Sequence, residues 1–170
     1  MLSSFYGAAG TAHAPISVSL RQANILRYLY EREMYDVAAN IVGVAVETFE
    51  DKTTLAYASA IDLAGLIDLD LCRPALALKP FKEALENRRQ KLGSDDPFIA
   101  FSLNNLALAY TESGDLDEAY RQHEKAMNIR LRTKSDRIGY SYSNMASLLL
   151  RMGKSLRHCI CKATRLRPRK

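Results

Sequence analysis

Residues that do chemistry are scarce in this chain, which holds three cysteines and three histidines among 170 residues. Cys72, Cys159 and Cys161 are too few, and odd in number, for the disulfide framework of a small secreted domain, and a reducing, cytoplasmic compartment fits them. His13, His123 and His158 fall in no nucleophile or metal-ligand motif, and His123 reads as a satisfied, partly buried imidazole. His158, Cys159 and Cys161 lie together, yet zinc takes about four ligands and a fourth is not nearby. No GxxxxGK[ST] or GxGxxG run is present, so no phosphate-cradling loop is expected. The uncharged stretch 37–46 falls well below the roughly 20 apolar residues of a membrane span. Residues 1–16 read as a flexible N-terminus, broken by serines, glycines, His13 and Pro15, with no basic stretch ahead of an apolar core. No enzyme activity, cofactor or metal site is expected.

What is present is ordinary in amount and uneven in placement. Hydrophobic residues make up 48% and charged residues 25%, the balance of a folded soluble domain. The formal charge of +5 is concentrated at one end, because residues 154–170 hold seven Lys and Arg and no acid. Residues 1–153 then carry 17 basic against 19 acidic side chains and are mildly acidic. Nucleic acid or an anionic surface is therefore a candidate partner only for the basic tail 154–170.

The body of the chain repeats. A shift of 42 residues lays Gly65 on Ala107, Ala77 on Ala119, Phe81 on His123 and Ala84 on Ala126. A shift of 39 carries Ala107 onto Ala146 and Gly114 onto Gly153. Apolar spacing predicts paired helices in an array over 17–153, with units at about 17–50, 54–91, 97–133 and an incomplete 136–153. The first pair is expected over 17–33, carried by Ile25, Leu26, Leu29 and Tyr30, and 35–50, with Ala38, Val42 and Ala45 as a close-packing stripe. Gly93-Ser94-Asp95-Asp96-Pro97 supplies a stop, a cap and a first-turn proline. Pro80 predicts a late start or a bend in the helix entering at Pro74. The last unit lacks its second helix, so Tyr142, Met145 and Leu149 are expected to be poorly covered, with self-association a consequence. The abrupt change after Gly153 leaves three readings open: non-family sequence from a splice or frame change, a selected basic tail, or a solvated terminus. Asp62, Asp68 and Asp70 share no single helix face and read as surface acids.

Leu103, Leu106, Ala107, Tyr110, Gly114, Ala119 and Ala126 together resemble the tetratricopeptide repeat. The spacing near 42 and the run from Lys91 to Pro97 ahead of Ser102-Leu103-Asn104-Asn105-Leu106-Ala107 resemble its kinesin-light-chain subtype. Tyr28-Leu29-Tyr30-Glu31-Arg32 before Tyr35 is similar to the opening repeat of the tails of fungal NLR-like proteins, although Glu33 replaces the turn glycine. The resemblance implies an all-α fold, a right-handed superhelix of antiparallel helix pairs, acting as a non-catalytic scaffold that holds a protein or peptide segment in its concave groove. A truncated product of a larger signalling protein is the other reading it leaves. In such arrays first helices line the groove, and an asparagine there can satisfy a peptide unit of an extended ligand. Asn24, Asn105 and Asn144 hold that position in three units, with Leu63 in the fourth. Phe101, Leu108, Thr111, Tyr140, Ser147 and Arg151 complete the expected groove lining. The Lys and Arg set of a carboxylate clamp is missing, which argues against recognition of a free peptide C-terminus.

Overall fold

A computed structural model describes residues 34–153, together with Tyr28 and Arg32. The expected first helix over 17–33, with Asn24, and the tail 154–170 lie outside the described residues. Among the described residues there are six helices and no strand: α1 (Tyr35–Glu47), α2 (Leu55–Asp70), α3 (Pro74–Lys91), α4 (Pro97–Ser113), α5 (Leu116–Arg132) and α6 (Ile138–Arg151). Their starts follow from capping chemistry. The hydroxyl of Thr54 accepts the Tyr57 amide at 3.1 Å, Asp96 accepts that of Phe98 at 2.8 Å, and Asp115 accepts that of Glu118 at 3.2 Å. Pro74 and Pro97 occupy first turns, where a missing N–H costs nothing. Asp117 and Glu118 lie at the start of α5 and Arg130 and Arg132 at its end, each on the favourable side of the helix dipole.

Three expectations are corrected in detail. The α3 helix starts at Pro74 and contains Pro80, so there is no late start. The carbonyl left without its amide partner belongs to Leu76, which is exposed and open to water. Gly93 has no positive φ, and α3 instead ends through Leu92 in an extended conformation. Tyr142, Met145 and Leu149 are covered, because α5 packs on α6 and encloses Met145 and Leu149 with Met127, while Tyr142 is half-buried against them. The exposure from which self-association was expected is absent at these three residues.

Each helix packs on the next in sequence, and α2 also meets α4, so the core is one continuous seam. Its largest cluster joins Ala77, Phe81 and Leu85 of α3 to Ile99, Leu103 and Leu106 of α4 and to Ala126 and Ile129 of α5. The closest approach is at Gly65. A methyl group built there would stand 2.7 Å from the Phe81 ring, closer than carbon atoms can pack. One unit on, Ala107 takes the glycine's place and His123 the phenylalanine's. The small residue grows by a methyl where the ring facing it shrinks.

The turn between α2 and α3 holds a residue whose role spacing alone did not reveal. Cys72 has φ 56°, and the Arg73 amide reaches back to the Asp68 carbonyl at 2.7 Å while the Cys72 amide reaches Leu69 at 3.0 Å. This is a Schellman closure with a cysteine where glycine is favoured. The equivalent position 42 residues later is Gly114, at φ 86°. Lys134, at φ 51°, closes α5 in the same way, with Ser135 bonded to the Arg130 carbonyl at 2.9 Å.

Two substitutions test these packing statements by urea unfolding. Gly65→Ala is expected to destabilise the chain by about 1–3 kcal/mol, because overpacking against Phe81 outweighs alanine's better helix propensity. A more stable variant would show that Phe81 moves aside freely. Cys72→Gly is expected to raise stability by about 1 kcal/mol through relief of the left-handed conformation, and a loss of stability would contradict that strain.

Candidate functional site

The first helices of successive units, α2, α4 and α6, carry most of the residues expected to meet a partner. Beneath their shared face runs a polar ladder built twice. In the lower step Arg88, from the end of α3, donates through Nη1 to Asp62 of α2 and to Ser102 of α4. Its Nη2 lies 3.4 Å from the Ser59 hydroxyl, and the rings of Phe98 and Phe101 flank the guanidinium at 6.0 and 5.9 Å. One side chain thus ties three helices together. Asp62 is completely buried and Arg88 is 3% exposed. Burial pushes the Asp62 carboxyl up to about 6, against the pull of Arg88 and then of Asn105. Asn105 stays close enough to act on that carboxylate, although Asp62 Oδ1 and Asn105 Nδ2 make no hydrogen bond of ordinary length.

The upper step repeats the outline of this arrangement with several changes, among them Arg137 where Phe98 stood and Phe101 where Ser59 stood. Arg130 corresponds to Arg88, Ser141 to Ser102, Asn144 to Asn105, and Asn104 stands where Asp62 stood. Arg130 Nη1 donates to the Ser141 hydroxyl at 2.6 Å, and Asn144 Nδ2 donates to Asn104 Oδ1 at 2.6 Å. Burial, followed by the charge of Arg137, depresses the Arg130 pKa. Beside it His123 is buried, and desolvation, with the Arg130 charge second, pushes its imidazole down to about 4. Its Nδ1 has no hydrogen-bond partner among the described residues and the ring is buried, so the expectation of a satisfied, partly buried imidazole is not met.

The expected site residues separate into two groups. Tyr140 is 53% exposed, Ser147 and Arg151 are exposed, and Phe101, Leu108 and Asn144 are half-buried. Arg151 donates through Nη1 to Glu112 at 2.6 Å, linking α6 to α4 across the face. Asn105 and Thr111 are buried, and the Thr111 hydroxyl is committed to the Ala107 carbonyl at 2.8 Å. Asp62, read from sequence as a surface acid, is corrected to a fully buried ion-pair partner. Sequence reasoning also passed over Arg88, Arg130, Ser102, Ser141 and Asn104. The 42- and 39-residue shifts that align the apolar positions align these as well, and were the signal available.

Two open clefts, of about 580 and 470 Å³, lie on other surfaces, the first among α1, α2 and α3 and the second among α3, α4 and α5. Among the described residues, no three His, Cys, Asp or Glu side chains form a group that could hold a metal, and no helix is long and apolar enough to cross a membrane. The face offers hydrogen bonds, aromatic surface and charge, with no nucleophile placed beside a base.

Comparison with known proteins agrees with this geometry. The family model described as tetratricopeptide repeat matches residues 56–132. The TPR-like repeats of a kinesin-light-chain-type protein of Podosopora anserina superpose with a TM-score of 0.75 at 15% identity, over 86% of this chain and 72% of that one. BtubC (BKLC) of P. vanneervenii superposes with a TM-score of 0.78 at 20% identity, over 94% of this chain and 70% of that one. At these identities the likeness establishes the fold, an all-α TPR solenoid. No curated protein sequence matches the chain.

The buried imidazole makes a pH prediction. Folded His123 stays neutral down to about pH 4, whereas the unfolded chain binds the proton near 6.5. The unfolded state therefore gains protons first, and stability falls as pH drops from 6.5 toward 4. Asp62 works in the opposite sense, since its raised folded pKa makes protonation favour the fold as pH falls through 6. Urea unfolding of wild type beside His123→Gln isolates the first effect: between pH 6.5 and 4.5 the variant is expected to lose less stability, by about 1 kcal/mol per pH unit. Parallel curves would rule out a neutral buried imidazole.

Proposed function

We propose that the chain, which matches the tetratricopeptide-repeat model over residues 56–132, is a non-catalytic, cytoplasmic interaction scaffold holding a partner segment along the face of α2, α4 and α6. The observation that carries this reading is the alignment of exposed and half-buried recognition groups on the successive first helices α4 and α6. Phe101 of α4 and Tyr140 of α6 stand 39 residues apart at equivalent places, with Leu108 and Ser147 a further turn or two along each helix. Aromatic groups of this kind supply large contact area at low entropic cost. Asn144, with Asn24 in the opening unit, is the candidate for backbone contact with an extended segment. Arg151 adds charge at the rim. Asn105 and Thr111 contribute from below, by fixing the helices that present the others.

Photo-crosslinking tests this. A photoreactive phenylalanine at Tyr140 is compared with one at Leu76, an exposed position on a second helix. Partner adducts are expected from position 140, are expected to fall about tenfold or more on Phe101→Ala with Asn144→Ala, and are expected to survive deletion of 154–170. Adducts equally strong from position 76, or lost on deletion of the basic tail with binding that collapses steeply with salt, would defeat the reading.

A further inference from the structure

The two steps of the ladder differ in whether the buried arginine has an acid of the chain beside it. In the lower step the buried guanidinium of Arg88 meets a carboxylate supplied by the chain itself, Asp62. In the upper step Asn104 holds the corresponding position, and Arg130, 6% exposed, has the Ser141 hydroxyl as its partner. No carboxylate among the described residues pairs with Arg130, and the charge that acts on it is the like charge of Arg137. A buried cation without a counterion is costly, and the neighbouring step shows that this fold readily supplies one.

Resting on the reading that a partner segment lies along the first-helix face, we propose that the step between α4 and α6 is a carboxylate subsite: an Asp or Glu side chain of the partner enters between Asn104 and Asn144 and becomes the counterion of Arg130. By the sequence shifts, Asn104 and Asn144 hold in the upper step the positions that Asp62 and Asn105 hold beside Arg88 in the lower one. Both asparagines are half-buried and bonded to each other. An asparagine pair opens at the cost of one neutral hydrogen bond, and its two amide groups then donate to the incoming carboxylate. Ser141 is already turned toward the guanidinium. Charge supplies the selectivity, because an amide in the carboxylate's place leaves Arg130 unpaired. The lower step has its own acid, so the acidic residue of the partner is read at α4–α6 and not at α2–α4. The site therefore sets the register of the bound segment as well as its charge.

Fluorescence anisotropy with two pools of labelled nine-residue peptides tests this on the full chain. The pools are otherwise uncharged and differ in a single central Glu or Gln. Wild type is expected to bind the Glu pool about tenfold more tightly. Asn104→Asp, which places a carboxylate where Asp62 stands in the step below, is expected to erase that preference while retaining the Gln pool. Arg130→Gln gives a second route to the same loss, with melting by circular dichroism confirming that each variant is folded. Equal affinity of wild type for the two pools overturns the carboxylate subsite and leaves the proposed scaffold standing. A Glu preference that survives both substitutions also overturns it, since the charge is then being read elsewhere. Failure of both pools to bind overturns this inference together with the groove on which it rests.

Discussion

A guanidinium buried near the end of α3, and another near the end of α5, joins one repeat to the next. Arg88 belongs to α3, yet its hydrogen bonds go to the first helix of its own unit, through Asp62, and to the first helix of the following one, through Ser102. Apolar packing between helices is permissive about small slides and rotations, whereas a planar donor with fixed directions is not. The ladder therefore sets how consecutive first helices stand side by side, and with them the face they share. Arg130 and Ser141 make the same junction one step later. A repeat array has little other means of fixing its curvature, because each unit touches only its neighbours.

The junction also explains which polar residues can face a partner. Asn105 and Asn144 are equivalent in sequence and unequal in setting. Asn105 stands beside a buried carboxylate and is itself buried, while Asn144 stands beside Asn104, half-buried and bonded to it. The exchange of Asp62 for Asn104 accompanies that difference. A carboxylate draws the guanidinium and the next amide into a closed cluster. A neutral amide satisfies one neighbour and leaves the positive charge beneath it uncompensated.

The helical array and part of its capping were legible in the sequence because they rest on local chemistry: Asp96 before Pro97, and the repeated turn glycines Gly114 and Gly153, which take positive φ. The interior polar groups were not. Helical periodicity says that Asp62 lies on a given face, and it does not say whether that face meets water or another helix's arginine. Cys72 was opaque for a related reason, since nothing in a lone cysteine signals a left-handed turn, and the match to Gly114 does so only once the turn is seen. The unmet expectation for His123 has the same origin: the repeat identified a packing position and could not supply a partner for Nδ1.

Comparing equivalent positions within the chain separates two kinds of change. Gly65 packs on Phe81, and Ala107 and His123, which hold those places one unit on, add volume at the first position and remove it at the second. The exchange of Asp62 for Asn104 has no compensating change, since Arg130 keeps its charge and its burial while losing the acid. A fold under selection for packing alone would remove such a charge or pair it, because replacing a buried ionic group by an apolar one is often neutral or stabilising. Retaining it makes sense where the missing charge arrives from outside, and this is what distinguishes the upper step as a place of recognition from the lower step as a place of assembly.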